Sequence, residues 1–282
     1  MSANCVPALS APSPSVETIA FLGVKIDLIT ADQLLDLVSD CISADRKVII
    51  AHHNLHSVCL HSSSSHDSVS LRRFYDQTQY TLADGMSMVA LGRLLGRRIS
   101  SRHRVAYNDW LPFMLPTAIH RDWRIFYLGS SPEAAAKGGE TLRAGFPGLQ
   151  LEVHHGHFDA DFKSSDNAKV LAQISEYRPN ILFVGMGVPR QERWIQENLD
   201  SIDANVILPS GATLDYIAGT KKMAPRWMGK LGLEWAFRLA TEPRRLAFRY
   251  LVEPWGLLTA VLTNSLATSR EASSAISSES SK

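Results

Sequence analysis

Cysteine is scarce in this chain. Cys5, Cys41 and Cys59 are the only three in 282 residues, and no two form a C-x-x-C pair. That excludes a disulfide framework and a thiolate-rich zinc site, so a reduced, cytoplasmic setting is the simpler reading. Net charge is equally small: 29 Lys and Arg against 28 Asp and Glu leave +1. Such a balance excludes the broad basic face of a nucleic-acid binder. Long apolar runs are missing too. Leu251–Leu262 is 12 residues interrupted by Glu253 and Pro254, too short to span a bilayer but able to lie on one. Residues 1–16 lack both a cationic start and an apolar stretch, so they read as a disordered lead rather than a secretory signal. Residues 263–282, rich in Ser and Ala, read as a disordered tail. No G-x-x-x-x-G-K phosphate loop and no G-x-S-x-G elbow occur.

Between the ends, short apolar runs alternate with amphipathic ones. Phe21–Ile29 reads as a strand or hairpin edge, and Thr30 is placed to cap a helix through Ser43, with Leu34, Leu37, Val38 and Cys41 on one face. Lys47–His53 reads as a buried parallel strand, followed by one polar helix running to about Gln77. Tyr80–Gly85 reads as a strand and turn, Trp123–Lys137 and Asn180–Leu199 each as a strand, glycine turn and helix, Leu149–Phe158 as a strand, and Ala204–Gly219 closes the series. Further helices fall between the strands, one capped by Asn108 or Asp109. Repeated strand–turn–helix units predict an α/β fold, a Rossmann-like, mostly parallel sheet with helices on both faces, over residues 17–222. Ligands of such sheets sit beyond the carboxyl ends of the strands, where Asn54, Asp84, Gly129, Gly187 and Gly211 fall.

A basic helical appendage, residues 223–262, follows. Lys221–Trp255 carries eight basic against three acidic residues, a net +5 that exceeds the charge of the whole chain. Trp227, Trp235, Phe237, Phe248, Tyr250 and Trp255 are interleaved with it. Aromatics among Arg and Lys suit anionic headgroups or phosphates. Yet Leu231, Trp235 and Leu239 recur every four residues, as in any amphipathic helix packed on its own domain. Pro243 splits the segment in two.

Asp84, a carboxylate before glycine at a strand tip, has the position of a general base, though an Asp-Gly turn explains it equally. Gly129-Ser130-Ser131-Pro132 and Gly185-Met186-Gly187 each open a helix whose free N–H groups can hold phosphate; tight turns need glycine in any case. Arg190 stands where a dinucleotide fingerprint has its third glycine. Gln191 and Glu192 either read sugar or base atoms or are ordinary first-turn polar residues. His52, His53, His56 and His154, His155, His157 invite a metal, as does the pair Asp159 and Asp161. Adjacent strand residues point to opposite faces, however, so neither histidine cluster converges, and no metal or other cofactor is expected.

The segment GATLDYIAGTKKMAPRWMGKLGLEWAFRLATEPRRLAFRYL resembles the C-terminal half of WecG/TagA/CpsF-type glycosyltransferases. VGMGVPRQERWI, LADGM and HRVAYNDW resemble three further motifs of that family, so the likeness covers about Phe21–Leu251. It implies an inverting, metal-independent transfer from a UDP-sugar donor to a polyprenyl-diphosphate-linked saccharide, for cell-surface or exopolysaccharide synthesis. It also implies a peripheral place on the anionic inner face of the cytoplasmic membrane. Asp84 would deprotonate the acceptor hydroxyl, with Asn54 positioning substrate. Gly129, Ser130, Gly185, Gly187, Gln191, Glu192 and Asp215 would take the donor nucleotide. Arg238, Arg244, Arg245 and Arg249 would engage the diphosphate. Three positions depart from the family pattern: His52 for a threonine, Tyr107 for a glycine and Met223 for an arginine. These suggest a different donor sugar, acceptor or both. The rival readings are a non-catalytic, membrane-associated nucleotide-binding module and an NAD(P)-dependent oxidoreductase, the latter opposed by the incomplete fingerprint. A second subunit covering the exposed Trp and Leu faces of the appendage, giving a homo-oligomer, stays open.

Overall fold

The apolar runs that read as buried strands form a six-stranded, all-parallel sheet. This computed structural model describes residues 16–63, 65–230, 232–253 and 255. The expected lead and tail therefore lie almost wholly outside the described residues. An antiparallel hairpin, β1 (Thr18–Phe21) and β2 (Val24–Asp27), precedes helix α1 (Ala31–Ser43). The sheet strands are β3 (Val48–His53), β4 (Tyr80–Ala83), β5 (Arg124–Gly129), β6 (Gln150–His154), β7 (Ile181–Gly185) and β8 (Val206–Pro209). Their order across the sheet is β4-β3-β8-β7-β5-β6.

Helices α2 (Leu55–Ser62), α3 (His66–Asp76), α4 (Met86–Leu94) and α5 (Tyr107–His120) join the first strands; α6 (Pro132–Gly145), α7 (Ser165–Tyr177), α8 (Arg190–Asn198) and α9 (Thr213–Ile217) join the rest. Strand side chains alternate between faces, so neighbours serve different cores. Tyr127 and Phe183 pack with Leu34, Trp110 and Met114 on one side. Phe126 and Leu182 pack with Phe74, Trp194 and Ile195 on the other. Both faces are covered, which is why the central strands are almost wholly apolar.

Local chemistry sets the boundaries. Thr30 caps α1 in a reciprocal box: its Oγ1 accepts from Gln33 N–H while Gln33 Oε1 accepts from Thr30 N–H at 2.9 Å. The single polar helix expected after β3 is two helices, because Ser65 accepts from Ser68 N–H and starts α3 afresh. Neither Asn108 nor Asp109 caps α5. Val105 N–H still bonds Ala83 O beside β4, so the helix begins directly at Tyr107 and both residues lie inside its first turn. Asp27 closes the hairpin by accepting from Thr18 Oγ1 at 2.6 Å and docks it on β4 by accepting from Thr81 N–H at 2.7 Å.

The basic segment forms three short helices, α10 (Arg226–Lys230), α11 (Glu234–Thr241) and α12 (Pro243–Leu251), with Pro243 in the first turn of the last. Leu246 is buried, whereas Trp227, Trp235, Phe248, Leu251 and Trp255 are exposed. Among the described residues no helix is long and apolar enough to cross a membrane.

Candidate active site

The carboxyl ends of β3, β4, β5, β7 and β8 open into one cleft of about 1060 Å³, and α10–α12 form its far wall. Glycine permits the strand ends to crowd together: a Cβ on Gly129 would collide with the Gly185 carbonyl. Gly187 turns the chain at φ +82° before α8.

Asp84 follows β4 with its backbone N–H on His53 O at 2.9 Å. Its side chain is 34% exposed toward the cleft, and its Oδ2 lies 3.9 Å from His52 Nε2. Asn54 follows β3 and caps α2; its Oδ1 accepts from Ser57 N–H at 3.1 Å and from Arg249 Nη2 at 3.3 Å. That second bond carries the appendage to the strand ends. His56 Nδ1 and Glu253 Oε2, 2.6 Å apart, add another link.

Ser130 leaves β5 in a left-handed conformation, φ +64°. Its Oγ donates to Asp215 Oδ2 at 3.0 Å, and Lys221 Nζ lies 3.9 Å from that oxygen. Gly185 and Gly187 line the cleft beside them, while Gly129 sits behind the lining. Gln191 and Glu192 are buried. Gln191 Oε1 accepts from Gly187 N–H and Gly211 N–H, each at 3.1 Å, clamping the loops after β7 and β8. Its Nε2 donates to Glu192 Oε1 at 2.8 Å. Burial pushes the Glu192 carboxyl up to about 7, outweighing its hydrogen bonds.

Of the four arginines singled out, Arg238 and Arg249 line the cleft. The Arg238 guanidinium lies 5.3 Å from the Tyr216 ring centre. Arg244 is exposed and away from the lining. Arg245 belongs to α12, and its side chain is outside the described set. Arg104 was not singled out by sequence reasoning, yet it lines the cleft and bridges Asp109 at 3.1 Å and Glu234 at 3.0 Å. Its signal was the segment HRVAYNDW, whose arginine carries no meaning until its partner 130 positions away is in place. Among the described residues no group of three His, Cys, Asp or Glu side chains converges to hold a metal ion.

The sequence model of the Glycosyl transferase WecG/TagA/CpsF family matches residues 19–271. Among curated proteins, the chain is similar to the N-acetylglucosaminyldiphosphoundecaprenol N-acetyl-beta-D-mannosaminyltransferases of Staphylococcus aureus strains NCTC 8325 / PS 47 and COL. Each is 29% identical over 171 residues, which is 61% of this chain. The match spans 65% of the length of these curated relatives.

Proposed function

Because this chain belongs to the WecG/TagA/CpsF family of glycosyl transferases, we propose that it moves a sugar, with inversion, from a UDP-sugar to a saccharide carried on a polyprenyl diphosphate. The observation that carries this reading is one cleft that holds the partly exposed carboxylate of Asp84 at a strand end together with Arg238 and Arg249 of the appendage. Inversion needs a single displacement. Asp84 takes the proton of the acceptor hydroxyl as its oxygen attacks the anomeric carbon, and the bond to the UDP oxygen breaks on the opposite side. The leaving diphosphate gathers negative charge, which Arg238 and Arg249 are suited to hold. Ser130, Gly185, Gly187 and Asp215 border the nucleotide side; Gln191 and Glu192 shape that side from beneath.

The outward surface of the appendage supports a peripheral place on the anionic inner leaflet. Trp227, Phe248, Leu251 and Trp255 are exposed, and so are Lys222 and Arg244. An acceptor held in that leaflet by its lipid would meet the cleft from the side of the same helices. The relatives' names make N-acetylmannosamine the first donor sugar to try. The test is UDP release from UDP-N-acetylmannosamine with a short-chain lipid diphosphate bearing N-acetylglucosamine. Asp84→Asn should lower kcat by about 10²–10⁴-fold while UDP still binds. UDP binding without turnover in the native protein, across a panel of donors, would favour the binding-module reading instead.

A further inference from the structure

We propose that His52 positions Asp84: its imidazole donates Nε2–H toward the carboxylate and holds it in the orientation that receives the acceptor proton. This rests on the reading of Asp84 as the base. His52 is the second-last residue of β3 and its side chain is only 10% exposed. Its ring meets Tyr107 edge-on, with centroids 5.3 Å apart. Tyr107 is itself fixed, its hydroxyl donating to Ile50 O at 3.2 Å and its ring set against Phe183 and Trp110. The imidazole therefore has little freedom, whereas Asp84, 34% exposed, can move. The 3.9 Å gap between Nε2 and Oδ2 is too long for a hydrogen bond, and a small turn of the carboxylate closes it.

The tautomer follows from what each nitrogen meets. His52 Nδ1 is enclosed and has no hydrogen-bond partner among the described residues. Nδ1 lacks a partner in either tautomer, but a proton on Nε2 faces an acceptor, the Asp84 carboxylate, so the proton belongs there. Burial lowers the His52 pKa more than Asp84 raises it, so the ring is neutral near pH 7. A neutral N–H donor steadies the carboxylate without cancelling its charge. His52 and Tyr107 are also two of the three departures noted in the sequence. The two rings are in contact beside Asp84 at the floor of the site.

Two measurements test this on the full chain. In long-range nitrogen-15 spectra of histidine-labelled protein, with His52 assigned by its loss in His52→Gln, the proton should sit on Nε2; a proton on Nδ1 would overturn the proposal. In the UDP-release assay, His52→Leu should lower kcat about a hundredfold, the cost of a misplaced reacting group, and leave the donor KM within about twofold. His52→Gln, whose amide N–H reaches the place of Nε2, should recover most of that loss. Full activity of His52→Leu beside an inactive Asp84→Asn would defeat the positioning role alone. Equal loss in both His52 variants would defeat it too, making the ring a base or a structural plug. An active Asp84→Asn would sink the reading beneath it.

Discussion

Replacing Glu192 by glutamine should make the protein more stable in base and leave it unchanged in acid. Glu192 is 3% exposed beneath the Gly187 turn. Its Oε1 accepts from Gln191 Nε2, and its Oε2 has no hydrogen-bond partner among the described residues. An ordinary glutamate titrates near 4.5, and burial raises this one to about 7. Below the lower value both folded and unfolded chains hold the proton, and the full stability is present. As pH rises between the two values, only the unfolded chain ionises freely, so stability falls, levelling off once the folded carboxyl has also ionised. At about 1.36 kcal/mol per pH unit, that interval amounts to about 3 kcal/mol. For a chain of this size the loss is worth about 6 °C in Tm.

Glutamine keeps the shape and an acceptor for Gln191 but cannot ionise. Thermal melts of both proteins in matched salt from pH 4.5 to 8.5 would expose the difference. Any constant offset reports altered hydrogen bonding, and other titrating groups cancel between the two proteins. The variant should gain about 6 °C on the wild type across that range, most of it by pH 7.5. Parallel curves would refute the reasoning, because a carboxyl with an ordinary titration contributes no such slope.

Other perturbations probe different parts of the molecule. Trp194→Phe removes the indole donor that reaches Asn167 Oδ1 at 2.7 Å inside the buried Trp194–Asn167–Asn198 network. The orphaned acceptor should cost about 1–3 kcal/mol, read from the urea midpoint; a smaller loss would mean that the network relaxes. Asp27→Ala breaks the bond from Thr81 N–H that docks the hairpin on β4 and the cross-strand bond from Thr18 inside the hairpin. It should cost about 2 kcal/mol and speed exchange of the Thr81 amide, whereas unchanged exchange would mean that packing alone holds the hairpin. The double change Trp227→Ser and Phe248→Ser acts on exposed side chains, so stability should stay within about 0.5 kcal/mol. Sedimentation with anionic vesicles should fall tenfold or more, from about 1.5–3 kcal/mol per ring withdrawn from the interface; unchanged sedimentation would remove these rings from the docking surface.

What was legible in the sequence was local. Val48–His53 and Ile181–Gly185 are short and almost wholly apolar, so their place in a doubly covered parallel sheet follows from composition. Thr30 and Gln33 stand three apart, and their capping box could be read directly. Asn54, Asp84 and Gly187 could be placed at strand ends because the strands themselves were clear. Long-range relations were not legible. Gln191 and Glu192 look like ordinary first-turn polar residues until Gly211, 20 positions later, is seen to close over them. Arg104 needs Glu234, 130 positions away, and Arg249 needs Asn54, 195 away. The start of α5 escaped for a related reason: the pairing of Val105 with Ala83 decides it, overriding the capping tendency of Asn108 and Asp109.

The appendage is packed only in part, and no residue of α11 is fully buried. Leu246 is buried as a packed amphipathic helix requires, and Arg238 and Arg249 face the cleft. Trp227, Phe248 and Leu251 remain outside. One segment thus closes the cleft while its outward rings stay exposed, so the proposed membrane contact must be tested apart from the cleft wall. Deleting everything after residue 222 would strip the outward rings, but it would also remove Arg238, Arg249, and the Glu234 that holds Arg104. Lost turnover in such a truncation could come from a missing wall of the cleft or from missing membrane contact. Substitutions confined to Trp227 and Phe248 separate the two, because neither side chain is among those lining the cleft. If the outward rings serve only docking, that pair should keep turnover on a soluble short-chain acceptor and lose it on an acceptor embedded in vesicles. Equal loss on both acceptors would mean that docking surface and cleft wall cannot be altered independently.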